Sequence, residues 1–379
     1  MKDVYYVGFY DVPQAGSTKR NIHLAGTNKM TYIISAMEKC DKNVKVVSAS
    51  QSLDGNICKR ETKKISDKST LFLPFCFGRG GNIKRLLNFI AIRIQLLYLL
   101  IFGVKKDDNV IVYHSLAYMK IISLAKKIKK FQLTIEVEEI YGDVLKNERI
   151  VKRELEFFKK ADKYIFPTAL LNDKININDK PYVIIHGTYK YEEDCGENFG
   201  DEKIHVVYSG TFDPRKGGCE AAAAAEWLPE NYHVHIIGFG SREDTESIKK
   251  RISDTNTKSK ASVTYDGQLF GEEYKCFLQK CHIGLSTQNP DADFNSTSFP
   301  SKILSYMANG LRVVSIRIPA IEDSDVGQYI CYYDEQIPEK IAEAIMNIDF
   351  YDEYDSRKII KKLDEDFLKE IRNMLKDKK

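Results

Sequence analysis

The chain has 379 residues, 43% of them hydrophobic and 29% charged, with 57 Lys and Arg against 54 Asp and Glu. That length suits two domains with separate cores, and the composition excludes collagenous, disordered and disulfide-scaffold classes. A net charge of +3 leaves no electrostatic footprint for nucleic acid, so no nucleic-acid partner is expected.

Val4 to Tyr10 reads as the first buried strand, entered with no basic-then-apolar leader, so a cytoplasmic chain is expected. The stretch DVPQAGSTKRNIHLAGTN after it is polar, contains glycine, and is longer than a mere connection needs; such loops at strand ends commonly carry function. Gly16, Arg20, His23 and Lys29 are its candidate ligand contacts, with solvated loop residues as the competing reading. A helix from about Lys29 to Lys39 and a strand over Val44–Ser48 close a β-loop-α-β unit. Eight scattered cysteines without a CxxC pair read as free thiols in a reducing compartment.

From Lys68 to Lys106 there are seven basic residues and no acidic one. Within this stretch LLNFIAIRIQLLYLLIFGV is strongly apolar, and Arg93 and Gln95 in its middle argue against a membrane span. Residues 83–104 read either as a buried core helix with a basic end or as an apolar and basic face resting on an anionic leaflet.

Strand NVIVY, Asn109 to Tyr113, ends on His114. A histidine there stands where it can act on a substrate hydroxyl, or it is a satisfied structural histidine. The next strand, Gln132 to Val137, runs into Glu138-Glu139-Ile140-Tyr141-Gly142-Asp143. Carboxylates bunched at a strand end suit sugar hydroxyls or a general base; capping and solvated charge is the alternative. After PYVII and His186-Gly187-Thr188-Tyr189, the polar run YEEDCGENFGDEK reads as a linker.

The second half restarts with a strand over Ile204 to Tyr208, then SGTFDPRKGG, then a helix from Cys219 to about Trp227. Gly210 directly after a strand, and Arg215-Lys216 before the next helix, bring backbone N–H groups and two cations to a strand end, which suits phosphate. Strand–glycine–helix repeats follow through Gly238-Phe239-Gly240 and Asp266-Gly267-Gln268, a Rossmann-like pattern without the GxGxxG and partner acid of a dinucleotide site. Last comes FPSKILSYMANGLRVVS, Phe299 to Ser315: a helix over Ser301 to Ala308 with Ser298 as expected N-cap, a stop at Asn309-Gly310, and a returning strand. Lys302 in the first turn opposes the helix dipole, which suits an anion held there; a solvated surface lysine is the other reading. No carboxylate or histidine cluster in this half reads as a metal site.

The order of Gly210 to Gly217, HIIGFG (His235 to Gly240), YDG (Tyr265 to Gly267) and the FPSK block resembles the donor domain of GT-B glycosyltransferases, particularly the retaining family 4. The resemblance implies an α/β fold of two Rossmann-like domains facing each other across a cleft: 1–195 for the acceptor, 200–350 for the nucleotide sugar, and helices over 351–379 crossing back. It implies a UDP-sugar or other nucleoside-diphosphate sugar as substrate, no cofactor and no metal. The diphosphate would lie against Gly210, Thr211, Arg215, Lys216, Ser301 and Lys302, and the nucleoside and sugar against Gly238, Gly240, Gly267, Gln268, Thr297, Ser298 and Ser305. His114, Glu138 and Glu139 would stand nearest the reacting centre, and the loop of Gly16, Arg20 and His23 near a saccharide acceptor, carried on a lipid and destined for a surface polysaccharide.

Two departures from the family pattern stand out. Thr211 occupies the place of an arginine, with Arg215 able to supply the charge, and Thr297 and Ser305 occupy the places of two sugar-binding glutamates, leaving weaker neutral partners. Two alternatives to a transferase therefore remain: a non-catalytic GT-B partner protein, and a nucleotide-sugar epimerase or hydrolase. Oligomeric state is not legible.

Overall fold

The apolar runs of both halves form parallel strands buried on both faces, as parallel sheets require. The computed structural model describes residues 3–12, 19–22, 24–292, 295 and 297–376. It divides into two units, Met1–Thr188 with Asp366–Lys379, and Tyr189–Glu365.

Unit 1 contains β1 (Val4–Gly8), β2 (Arg20–Asn21), β3 (Val44–Ser48), β4 (Gln51–Ser52), β5 (Glu61–Lys64), β6 (Ser69–Leu73), β7 (Asn109–Tyr113), β8 (Gln132–Glu136), β9 (Lys163–Phe166) and β10 (Tyr182–Ile184). Its main sheet runs β10-β9-β8-β7-β1-β3-β6-β5, with only β5 antiparallel to its neighbour. The helices are α1 (Leu24–Lys39), α2 (Asn82–Phe102), α3 (Met119–Lys129), α4 (Tyr141–Val144), α5 (Glu148–Phe158) and α6 (Ala169–Ile175). α1 starts earlier than its periodicity suggests, and neither β6 nor the edge strand β5 is foreseen by the sequence; ETKK of β5 has no apolar face and pairs only through β6.

Unit 2 holds β11 (Ile204–Thr211), β12 (Tyr232–Phe239), β13 (Ser262–Gly267), β14 (Ile283–Ser286), β15 (Arg312–Ile316) and β16 (Cys331–Tyr333), all parallel. Their order β13-β12-β11-β14-β15-β16 is the doubly wound one, in which strand order reverses between β11 and β14 and leaves a crevice at the carboxyl ends. The helices are α7 (Gly218–Ala223), α8 (Arg242–Asn256), α9 (Gly271–Gln279), α10 (Lys302–Ala308), α11 (Pro319–Glu322) and α12 (Pro338–Met346). A final helix, α13 (Ser356–Met374), begins in unit 2 and ends in unit 1, where Phe367 stacks on Tyr32 at 5.5 Å.

Two sequence expectations need correction. Cys195 and Cys276 form a disulfide with Cα atoms 5.6 Å apart, so not every cysteine is a thiol; the pair was illegible because 81 residues separate its members. α2 is not a buried core helix. Asn88, Ile92, Leu96 and Leu100 face inward, while Ile83, Leu87, Ile90, Ile94 and Tyr98 form an outer stripe 41 to 78% exposed. Its polar residues are anchors: Asn88 exchanges hydrogen bonds with the Phe77 backbone at 2.7 and 3.0 Å, and Gln95 does so with Phe75 at 2.9 Å. By length and composition α2 could cross a membrane, yet its inner face is spent on unit 1.

Candidate active site

At the carboxyl ends of β11 and β12 a cavity of about 460 Å³ opens, lined by Ser209, Gly210, Thr211, Lys216, Ile237, Gly238, Phe239, Gln268, Leu269, Phe270, Tyr274, Gln288, Phe299, Pro300, Ser301, Lys302 and Ser305. It sits where strand order reverses, the place that the fold reserves for ligands. The backbone there is packed closely: a Cβ on Gly238 would come within 1.8 Å of the Gly210 carbonyl oxygen. Phe239 and Phe270 are 51% and 65% exposed at the rim, two aromatic faces free to stack on a base. Tyr274 holds the hydroxyls of Ser209 and Ser305 at 3.0 and 3.3 Å, which fixes the small polar groups of the wall.

The electrostatics of this cavity centre on Lys302. Its Nζ is shut off from solvent, has no hydrogen-bond partner, and lies 3.9 Å from the centre of the Tyr208 ring. Burial, and then the neighbouring charge of Lys216, push its ammonium down to about 7. Burial also lowers Lys216. A buried ammonium without a hydrogen bond is costly, and one lining a crevice beside a second cation suits an anion there. Gly210 eases this approach, since a Cβ there would lie 3.2 Å from Nζ. No carboxylate lines the cavity among the described residues.

Of the expected donor residues, the structure brings together Gly210, Thr211, Lys216, Gly238, Gln268, Ser301, Lys302 and Ser305. Arg215 is corrected: its guanidinium turns back onto Asp213, which it grips at 2.6 and 3.0 Å, and it does not line the cavity. Gly240, Gly267, Thr297 and Ser298 also lie off the lining. Ser301, not Ser298, precedes α10, and it makes no side-chain cap. Sequence reasoning missed Ser209, Tyr274, Gln288 and the two rim phenylalanines, of which only Phe239, flanked by Gly238 and Gly240, carried a local signal.

In unit 1 the charged groups are already matched. His114 is 2% exposed, its Nε2 lies 2.7 Å from Glu154, and Phe157 and Phe158 enclose its ring; it is a structural histidine, which corrects the expected catalytic role. Glu154, itself fully buried, also accepts from the Tyr141 and Gly142 amides at 2.9 and 2.7 Å. Glu138 pairs with Lys29 at 2.6 Å, and Lys29 also donates to the Ile185 carbonyl. Glu139 is half-buried beside it. Glu136, not foreseen, accepts from the Tyr6 hydroxyl; burial, and then the Glu138 charge, raise it to about 8. Arg20 is no acceptor contact: buried, it donates to the Ser50, Lys59 and Pro74 carbonyls. Gly16 and His23 lie outside the described residues.

The expectation that unit 2 holds no histidine cluster is also corrected. His205, His233 and His235 bring one ring nitrogen each within 4.8 Å of the others. Burial lowers His205, and it pushes His233 down to about 4.

Comparison with known proteins follows the same lines. Residues 203–348 match the family model described as glycosyl transferases group 1. No curated protein matches the chain. Among solved structures, an E. coli trehalose-6-phosphate protein bound with UDP-2-fluoro glucose is similar at 10% identity and a TM-score of 0.70, over 98% of each chain. An α,α-trehalose 6-phosphate synthase from Burkholderia multivorans matches at 10% identity and 0.69, over 99% of this chain and 95% of that one. A UDP-forming synthase from Burkholderia xenovorans in complex with glucose-6-phosphate matches at 11% and 0.64, over 97% and 96%. The chain thus has the GT-B fold of two Rossmann-like units, and residues 203–348 of the second are similar to the group 1 glycosyl transferases.

Proposed function

We propose that this glycosyltransferase moves a hexosyl group from a UDP-sugar to a saccharide or sugar-phosphate acceptor, with retention and without a metal in the donor site. The observation that carries the reading is the partnerless Lys302 ammonium beside Lys216 in the unit 2 cavity. As the glycosidic bond to the diphosphate breaks, negative charge develops on the leaving phosphate. Two cations already desolvated and held in place stabilise that charge without reorganising, which serves the purpose of a magnesium clamp. Phe239 and Phe270 supply stacking surfaces for the base, and Ser305, Tyr274 and Gln268 supply neutral hydrogen-bond partners. In this reading Glu138, paired with Lys29, meets acceptor hydroxyls from unit 1.

The acceptor is lipid-carried, and the chain works at the cytoplasmic face of a membrane in surface polysaccharide assembly. The outer stripe of α2, with exposed Leu124 and Ile128 on α3, has exposed Lys84, Arg85, Lys105 and Lys106 at the two ends of the helix, a pairing of apolar area and positive charge that suits an anionic leaflet. Vesicle flotation tests this: binding to phosphatidylglycerol vesicles that falls with salt and is lost in Ile90→Asp/Ile94→Asp supports it, and equal recovery with neutral vesicles contradicts it.

A second reading, a non-catalytic GT-B partner, draws on the absence of any carboxylate among the described lining residues. A calorimetric screen of UDP, GDP, ADP and CMP and their sugar conjugates, without added metal, separates the two. Tight binding of UDP and slow turnover of one UDP-sugar support the transferase. Binding of none supports the partner protein.

A further inference from the structure

We propose that His205, His233 and His235 form a transition-metal site of the zinc type in unit 2, separate from the donor cavity. Side chains in a strand alternate faces, so His-Val-His in β12 sets both imidazoles on one face, and the register places His205 of β11 directly opposite His233. The rings of His233 and His235 stack at 4.0 Å, and that of His205 stands 5.2 Å from His235. From His205 to Gly210 the chain runs five residues, about 16 Å of strand, so the cluster lies well back along β11 from the phosphate end.

The proton positions point to a cation. The Nε2 of His205 lies 2.7 Å from an Asp201 oxygen, and the Nδ1 of His235 lies 3.1 Å from an Asp266 oxygen. A carboxylate accepts, so each imidazole donates outward and turns its other nitrogen inward as a lone pair. Those two inward nitrogens, His205 Nδ1 and His235 Nε2, face each other at 2.9 Å. Thr264 donates its hydroxyl proton to Asp266 at 2.8 Å, so it accepts from His233 Nε2 at 3.0 Å and leaves His233 Nδ1 as a third lone pair. Opposed lone pairs at hydrogen-bond distance repel, and a shared positive charge removes the conflict. Histidine ligands oriented by carboxylates on their far nitrogens are the usual outer shell of a zinc site.

At zinc–nitrogen distances of about 2.0–2.1 Å in a tetrahedral arrangement, co-ligand nitrogens stand about 3.3 Å apart, so His205 and His235 would part by a few tenths of an ångström while the three ring nitrogens, now within 4.8 Å of one another, adjust around the ion. His205 and His235 are buried, while half-buried His233 opens a path from solvent. Phe199 stacks on His205 at 4.1 Å and on His235 at 4.8 Å, so the ion would pin the segment entering β11 onto the sheet. With three protein ligands, the fourth position would be taken by water reaching the ion past half-buried His233.

The test uses the full chain, stripped with EDTA, dialysed, and titrated with Zn²⁺ by calorimetry and with Co²⁺ by visible absorption. Expected are a single equivalent of zinc, a rise in Tm on loading, and tetrahedral cobalt bands. His235→Gln should abolish all three, and Asp266→Asn should weaken binding by about 10–100-fold. His282→Gln, at a neighbouring ring that only accepts the His205 amide, should leave them intact. Equal Tm of stripped wild type and His235→Gln would show that the variant folds; if it does not fold, the Asp266→Asn affinity decides. Failure of wild type to bind zinc or cobalt, or equal binding in His235→Gln, which would put the ion on thiols, overturns the proposal.

Discussion

The two units treat buried charge in opposite ways. In unit 1 each buried ionisable group described at the strand ends has a protein partner: His114 with Glu154, Lys29 with Glu138, Tyr6 with Glu136. In the unit 2 cavity, the Lys302 ammonium rests against the Tyr208 ring with no hydrogen-bond partner. The unit 1 charges described here mostly hold the fold, whereas unit 2 keeps a cation that the proposed diphosphate would match. Folding bears the cost of desolvating Lys302, so the proposed diphosphate would meet a group already stripped of water.

Breaking the unit 1 network should have the largest effect. Glu154→Ala leaves His114 and two backbone amides without their acceptor, and a stability loss of about 3–5 kcal/mol is expected in urea unfolding. UDP affinity of the folded fraction should be unchanged, because the cavity belongs to unit 2. Next comes Lys302→Met, which removes the cation while keeping much of the side-chain volume. Calorimetry should show a loss of about 1.5–3 kcal/mol in UDP binding, with stability equal or improved since a buried unpaired charge is gone. The smallest effect is expected from Arg215→Ala. That side chain is exposed and tied to Asp213, so UDP affinity should stay within a factor of about two, and a larger loss would show that Arg215 swings into the cavity.

Much of this contrast was legible in the residues, and the part that was not has identifiable causes. Strand–glycine–helix repeats marked unit 2 and a β-loop-α-β unit marked the start of unit 1, and Gly210, Lys216 and Lys302 stood at strand ends and helix starts that suit phosphate. Arg215 and His114 were misread because their fates depend on partners: Asp213 two residues away, and Glu154 forty residues away on another helix. The histidine cluster needed strand register, which sequence does not supply, although His233-Val234-His235 was a visible hint. The exposed stripe of α2 was ambiguous for a related reason: its hydrophobic residues surround the helix, and only the packing of Asn88 and Gln95 decides which face turns inward.

The most direct test of the central claim is proton uptake on UDP binding, measured by calorimetry in buffers of different ionisation enthalpy between pH 7 and 9. Free Lys302 titrates at about 7, and a bound diphosphate favours its charged form, so binding should take up roughly 0.5–1 proton near pH 8. The sign follows: affinity should fall as pH rises above 7, by up to about tenfold per unit, until the raised pKa of the complex is passed. In Lys302→Met the uptake should vanish and the affinity should be flat over the same range. Proton uptake and a pH slope identical in wild type and Lys302→Met would contradict the assignment of Lys302 as the diphosphate's buried counter-charge.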